Sequence, residues 1–513
     1  MGIVAKQSVW NTITLFTGVF LGAINTMILF PMMLESDEYG LTRIIVTIGL
    51  LGGQFAMMGM PSVFIKFLHK FRKKEGNSYG ILRFVILACM VGVAIVSSCL
   101  YFGKSVVLLP YESNAKALGD KYFLLIPFVV FIVVNGILSQ YLKAVFYSVY
   151  QLVISEIFMR VAQTFLLFLY YFQLFSFDFF MLCFVLIYGM QSLLLLSYLV
   201  KIKEFDIKED KEIMTRKNRK SFFKYGIANF FSGIGFKLSN MIDVLMIGSM
   251  VGIVGVGENQ GLKAIAIYSL AVFMSSVIEI PARALGNIAF PLVGKAWANN
   301  NLKEISALYK KSAINQLVVG GLIFIGIWVN IDQIILVLKD ISNESFDFDY
   351  YNIKYVVFFL GLAKLFHVAS GINGGIIMTS RYYLFGTYIT ISLIFITLFT
   401  NWIFIPTYGI VGAALATAIS LLLFNLVSFL FLLVKFKMQP FTIKTFLTVI
   451  IGFATFFLAG LLPEIGSPML TILLQSTVVL CVYIPLIVVF KISEDINALV
   501  YKVSTKLGVL RTK

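Results

Sequence analysis

Charge is what this sequence has least of: Asp, Glu, Lys and Arg together make up 13% of its 513 residues. That is far too little to cover a soluble globular surface, and soluble architectures are set aside. Signatures of soluble-enzyme chemistry are missing as well. There is no Walker loop, no zincin helix and no nucleophile elbow, and the glycine-rich stretch GIVGVGENQG lacks the flanking strand that a dinucleotide site needs. The four cysteines, Cys89, Cys99, Cys183 and Cys481, all fall within apolar runs at spacings that suit neither a metal nor a disulfide framework. No loop approaches the length of a catalytic domain. An enzyme is therefore not expected, and an ATP-driven pump would need a partner to supply its engine. A signal-peptide cleavage site is also lacking: Glu35-Ser36-Asp37 follows the first apolar run where small residues should stand, so that run reads as a retained helix.

Apolar length is what the sequence has instead. Hydrophobic residues make up 59% of it and the mean hydropathy is +0.93. Runs of about 20 apolar residues, the length that spans a hydrocarbon layer of about 30 Å, follow one another with short polar interruptions. They lack the ten-residue alternation of an outer-membrane barrel and so specify helices. The expected fold is an all-α polytopic membrane protein of about fourteen spans, six between Trp10 and Val200 and eight between Tyr225 and Phe490. The net charge of +16 could suggest nucleic acid, but the basic residues lie in alternate loops. Lys66, Lys70, Arg72, Lys73, Lys74 and Arg83 share one, and Arg216, Lys217, Arg219, Lys220 and Lys224 share another, whereas ESDEYG and DISNESFDFDY mark the opposite side. That pattern places both termini in the cytoplasm and excludes nucleic acid as a partner. The segment KAWANNNLKEISALYKKS reads as a short amphipathic helix on the cytoplasmic face.

A weak internal repeat relates FTGVFLGAIN at Phe16 to FSGIGFKLSN at Phe231, and the helices that follow each copy carry a proline, Pro61 and Pro281. Both copies start inside, so the halves would be parallel repeats with a site between them. The division expected is an N-terminal lobe over 1–200, a basic linker over 201–224, a C-terminal lobe over 225–433, and two further helices with a cytoplasmic tail over 434–513.

Ionisable residues at membrane depth cost about 2.5–3.5 kcal/mol each on insertion scales and therefore point to function. They are Lys237 and Asp243 in helix 7, Glu279 and Arg283 in helix 8, Lys364 and His367 in helix 10, Glu156 and Arg160 in helix 5, and Arg43 in helix 2. Glu156 with Arg160 and Glu279 with Arg283 have i,i+4 spacing and also fit as structural pairs. Lys364 and His367 have no acidic neighbour on their own helix and need an anion from elsewhere. Polar groups join them: Asn11 and Asn25 in helix 1, Gln54 in helix 2, Asn229, Ser239 and Asn240 in helix 7. A hydrated, cationic cavity for an acidic or phosphate-bearing ligand follows.

In NWIFIPTYGIVGAALATAIS, Pro406 and Gly409 should reverse the chain, and Gly412, Ala413, Ala416 and Ala418 should let the second arm pack closely. This hairpin, with DEYGLTRI, MIDVLMIG, AIYSLA and IAFPLVGKAW in that order, resembles the polysaccharide exporters and O-antigen flippases of the multidrug/oligosaccharidyl-lipid/polysaccharide superfamily. The resemblance spans almost the whole chain. It implies two pseudo-symmetric lobes around a central cavity that opens to each side in turn. The implied substrate is a polyprenyl-diphosphate-linked oligosaccharide, carried outward across a bacterial inner membrane for O-antigen, capsule or exopolysaccharide assembly, with polymerase and glycosyltransferases as partners. No cofactor is implied. On that basis Lys237, Arg283, Lys364 and His367, then Arg43 and Arg160, with Asn25 and Gln54, are the residues expected to bind substrate. The arginines that related lipid-II flippases carry in their first helix are absent here, so the phosphate-binding arrangement must differ. Sodium in some relatives maps onto Asp243, Asn401 and Thr417, while protons or the membrane potential are other drives. A drug or cation antiporter of the same superfamily is the nearest rival, and a polytopic polymerase or a non-transporting scaffold is further off.

Overall fold

The structure, a computed structural model, describes residues 3–68, 80–205, 207–208, 213–254, 259–344, 346 and 350–506. Among the described residues all regular elements are helical, and twelve helices are long and apolar enough to cross a membrane. One of the twelve, Tyr383–Phe436, runs for 54 residues, but Gly409 inside it sits at φ 57° and ψ −133°. No L side chain adopts that backbone comfortably, so the chain turns there. The helix is two arms, α11 (383–408) and α12 (410–436), and the expected reversal falls at the glycine. Adding α7, Arg216–Val254, whose apolar stretch Met241–Val251 is shorter, brings the described helices to the fourteen expected.

The chain divides into two compact units, Met1–Ser269 with Ser342–Asp347, and Leu270–Ile341 with Phe348–Lys513. The contact boundary thus lies beyond the basic linker, because α7 and the start of α8 pack with the first six helices.

The first unit holds α1 (Ile3–Ala23, extended by a π turn Ile24–Leu29 and by Phe30–Met33), α2 (Ser36–Met57), α3 (Ile81–Phe102), α4 (Leu125–Ala144), α5 (Ser148–Tyr171), α6 (Phe177–Lys201) and α7. α4 packs on α2, α3 and α6, and α1 packs on α5. Lipid gives no hydrophobic drive between helices, so close backbone approach has to supply the contact. Gly92 of α3 shows how close: a Cβ there would lie 2.0 Å from the Ala56 carbonyl oxygen of α2. At its start α2 is capped by Glu38, whose carboxylate accepts from the Glu35 N–H at 3.2 Å. It stops at Met57, because Met58 and Gly59 take positive φ ahead of Pro61.

α8 starts in the first unit as Gln260–Ser276, breaks into a 3-10 turn at Val277–Glu279 and resumes as Ile280–Ala298. Pro281 explains the break: it has no N–H for the Val277 carbonyl, and its ring crowds that carbonyl. The second unit continues with α9 (Leu302–Val329), α10 (Tyr350–Ala369), the hairpin α11–α12, α13 (Ile443–Gly460) and α14 (Pro468–Val489). α10 packs on the hairpin and on α9, while α13 and α14 pair and lean on α9 through Val318, Ile325, Val479 and Tyr483. Hydroxyls in these helices donate back along their own chain: Thr390, Thr397 and Thr455 each reach the carbonyl four residues earlier at 2.8 Å. In hydrocarbon that is the available partner.

Two expectations are corrected. KAWANNNLKEISALYKKS is not a separate amphipathic helix. It is the end of α8, a turn with Asn300 at φ 52°, and the start of α9, whose first turn is capped by the Asn301 side chain accepting from the Glu304 N–H at 3.2 Å. The tenth span, which the apolar run from Ile353 leads one to expect as far as Met378, ends at Ala369, because Gly371 takes φ 63° and a short helix Asn373–Thr379 follows. Residues 255–258, in the middle of GIVGVGENQG, lie outside the described residues.

Candidate functional site

In the first unit the π turn of α1 brings consecutive side chains to two arginines. A π turn adds a residue to the turn and re-aims the side chains it carries. Asn25 Nδ2 donates to the Arg160 carbonyl at 2.9 Å, and its Oδ1 accepts from Thr164 Oγ1 at 2.6 Å, both on α5. Thr26 Oγ1 accepts from Arg43 Nη2 of α2 at 3.1 Å.

The two arginines are held differently. Arg160 forms an ion pair with Glu156 at 2.9 Å, and a second π turn, Val153–Phe158, carries that glutamate. Gly18 and Gly22 of α1 make the space, since a Cβ at either would come within 2.8 Å of the Glu156 or the Arg160 side chain. Arg43, by contrast, meets neutral groups among the described residues. Its Nη2 also donates to Tyr39 Oη at 2.8 Å, and its guanidinium carbon lies 4.9 Å from the Tyr39 ring centroid and 5.4 Å from that of Phe30. Its Nε is buried without a hydrogen-bond partner. Gln54 lies about three turns along α2 from Arg43, half-buried and on the same face.

In the second unit the 3-10 turn before Pro281 presents Glu279, 5% exposed, to α10. One carboxylate oxygen sits 3.0 Å from Lys364 Nζ, and the other sits 3.3 Å from Arg283 Nη2 on its own helix. The anion that the sequence left unassigned for Lys364 is therefore Glu279. Lys364 is buried, whereas the Arg283 side chain is 64% exposed.

One turn along α10, His367 Nδ1 lies 3.1 Å from Asn425 Oδ1 of α12. The Asn425 amide is oriented by its own donation to the Leu421 carbonyl at 2.8 Å, and its Oδ1 also accepts from Asn373 Nδ2 at 3.2 Å. That oxygen can only accept. Neutral His367 must then carry its proton on Nδ1, with Nε2 as the acceptor nitrogen.

The other predicted residues are spread between the units. Asp243 of α7 is buried in the first and accepts from Tyr268 Oη at 2.6 Å. Asn401 and Thr417, both buried, belong to the hairpin of the second. No single unit contains all three. The side chains of Lys237 and Asn240 lie outside the described residues. Sequence reasoning missed Asn425, Asn373 and Thr164. Asn425 did leave a signal, as a lone amide in the apolar run LLLFNLVSFLFLLV.

Among the described side chains at membrane depth, the second unit thus sets two permanent cations, Lys364 and Arg283, against the carboxylate of Glu279, while the first holds Arg43 and Arg160 with the carboxylates of Glu156 and Asp243.

The class of protein follows from the fold: a multi-pass, all-helical membrane protein built like the solved lipid-flippase and multidrug-transporter structures. In particular, the fold matches the lipid II flippase MurJ in an inward closed conformation, with a TM-score of 0.73 over 94% of this chain and 98% of that one, at 16% identity. It also matches an inward-facing multidrug resistance MATE family transporter of the MOP superfamily, with a TM-score of 0.61 over 81% and 93% of the chains, at 14% identity. Among curated proteins, Agl15 of Haloferax volcanii, described as a probable low-salt glycan biosynthesis flippase, is 25% identical over 204 residues. That alignment spans 40% of this chain and 40% of the length of that relative. No protein-family profile matches the chain.

Proposed function

We propose that this protein is a flippase that moves a polyprenyl-diphosphate-linked oligosaccharide from the cytoplasmic to the outer leaflet for surface-polysaccharide assembly. The observation that carries the reading is the charge balance at membrane depth in the second unit, where Lys364 and Arg283 share the one carboxylate of Glu279. A transporter of cationic drugs would be served by the opposite balance. A diphosphate arrives with negative charge that hydrocarbon refuses, and arginine and lysine in a low-dielectric setting are the side chains that compensate it best. Arg43, Arg160, Arg283, Lys364 and His367 are assigned to this anionic head, with Asn25 and Gln54 as neutral hydrogen-bonding groups beside them. The oily tail can stay in lipid throughout. The flippase descriptions carried by MurJ and Agl15 agree with this chemistry.

The reading places the chain in a bacterial inner membrane, working with glycosyltransferases that make the repeat unit inside and a polymerase that consumes it outside. Either a coupling ion or the membrane potential acting on the charged head supplies the drive. The test is the sidedness of the lipid-linked oligosaccharide in cells with and without the protein, read by a membrane-impermeant reagent that labels outward-facing sugar. Loss of outward label, with accumulation on the inner face, is expected in its absence. Unchanged sidedness in a strain without a redundant exporter would sink the reading and bring the small-molecule antiporter forward.

A further inference from the structure

Both Glu279 carboxylate oxygens face a cation in the structure, one in an ion pair with Lys364 at 3.0 Å and the other accepting from Arg283 at 3.3 Å. These two contacts are unequal. Lys364 is buried with Glu279 and is the nearer of the two cations, so it anchors the carboxylate. Arg283 is 64% exposed and holds the same carboxylate at a distance longer than the 2.7–2.9 Å usual for such pairs. Two cations on one carboxylate leave the cluster one positive charge in excess, in surroundings where unbalanced charge is costly.

We propose that Glu279 is a built-in stand-in for the substrate's anion. It occupies Lys364 and Arg283 in the empty protein and gives up Arg283, the looser and more exposed of the two, when a diphosphate binds. On departure of the ligand, Glu279 recaptures the guanidinium. The carboxylate therefore weakens substrate binding and by doing so keeps release fast. This rests on the flippase reading and adds a residue that tunes affinity without being expected to touch the substrate.

Local geometry supports the assignment. Pro281 forces the turn that holds Glu279 against α10, so its position is set by backbone and not by the ion pair alone. From α10 the charged or titratable groups that act on Glu279 are Lys364 and His367, and from its own helix Arg283. The described contacts of α9 beside this turn, Gly320 and Phe324, are uncharged. His367 is pinned by Asn425, which leaves Arg283 as the cation able to change partners.

The experiment measures binding of farnesyl diphosphate, a short prenyl diphosphate, to the full-length protein in lipid nanodiscs, for the wild type, Glu279→Gln, and Glu279→Gln combined with Lys364→Met. Removing a competing charge at about 6 Å under an effective dielectric near 20 predicts about a hundredfold tighter binding for Glu279→Gln. Outward sugar labelling in cells should fall for the same variant, because release slows. The double variant restores an excess of one charge and should return to within about threefold of wild type. A purely structural Glu279 predicts the reverse, with binding weakened along with transport. Unchanged or weaker binding by folded Glu279→Gln overturns the proposal while the flippase reading stands, whereas a wild type that binds no farnesyl diphosphate overturns both. If Glu279→Gln does not fold, Glu279→Asp, with its shorter arm, should bind more tightly than wild type, and equal affinity overturns the proposal.

Discussion

Arg43 and Arg160 are fastened to neighbouring residues of one π turn, yet removing them should have opposite effects on stability. Arg160 is paired with Glu156, so Arg160→Gln strands a carboxylate among packed helices. A fully buried pair broken in this way costs about 3–5 kcal/mol, and this pair, a quarter exposed, should cost about 2–3. Among the described residues, Arg43 is compensated by a threonine, a tyrosine and two ring faces. Replacing it with glutamine loses about 1 kcal/mol of hydrogen bonding and removes an intramembrane charge that costs about 2.5–3.5 kcal/mol. Arg43→Gln should therefore leave thermal stability equal or raised while outward sugar labelling drops, and Arg160→Gln should lower both. Thermal unfolding in detergent, alongside the labelling assay, separates the two. A destabilised Arg43→Gln would show that the guanidinium is structural. At this scale the sequence told which residues to examine and not what they touch: a lysine without an acidic neighbour on its own helix found one across a helix contact, which no spacing along the chain reveals.

At the scale of elements, the hairpin α11–α12 depends on two glycines for two unrelated reasons. Gly409 needs its backbone angles, and a Cβ there would meet nothing within 4 Å. Gly412 needs its missing side chain, because a Cβ would sit 2.1 Å from the Phe404 carbonyl oxygen of the opposite arm. Gly409→Ala should cost about 1–3 kcal/mol in backbone strain. Gly412→Leu has to push two helices apart and should cost more, about 3 kcal/mol or above, with loss of folded yield. Equal melting temperatures for wild type and Gly412→Leu would contradict this packing. Apolar runs and turn residues made these spans and the reversal legible from sequence, because bilayer thickness and glycine's backbone freedom act locally. The breaks were less legible. The π turns at Ile24–Leu29 and Val153–Phe158 carry no residue that announces them, and the 3-10 turn before Pro281 appeared in the sequence only as a proline. These breaks aim Asn25, Glu156 and Glu279, which is why the site was legible as a set of residue types and not as a geometry.

For the whole molecule, orientation follows from where charge sits between spans. The connection after α2 carries Lys66, Lys70, Arg72, Lys73 and Lys74, and the one after α6 leads into Arg216, Lys217, Arg219 and Lys220. The connection between α1 and α2 holds Glu35, Asp37 and Glu38, and that between α13 and α14 holds Glu464 without a basic residue. Lysine and arginine in short loops are retained on the cytoplasmic side, so the α13–α14 connection should face outward and the α8–α9 turn inward. An even number of spans should then return the C-terminal helix Glu494–Lys506, whose Asp495 pairs with Lys311 of α9, to the cytoplasmic side. The expectation can be read in a variant lacking the four native cysteines, with one new cysteine at an exposed position. A membrane-impermeant maleimide should label Glu464→Cys in intact cells and Asn300→Cys only after permeabilisation. The opposite pattern would invert the protein, place its basic loops outside, and reverse the direction in which the diphosphate head is carried.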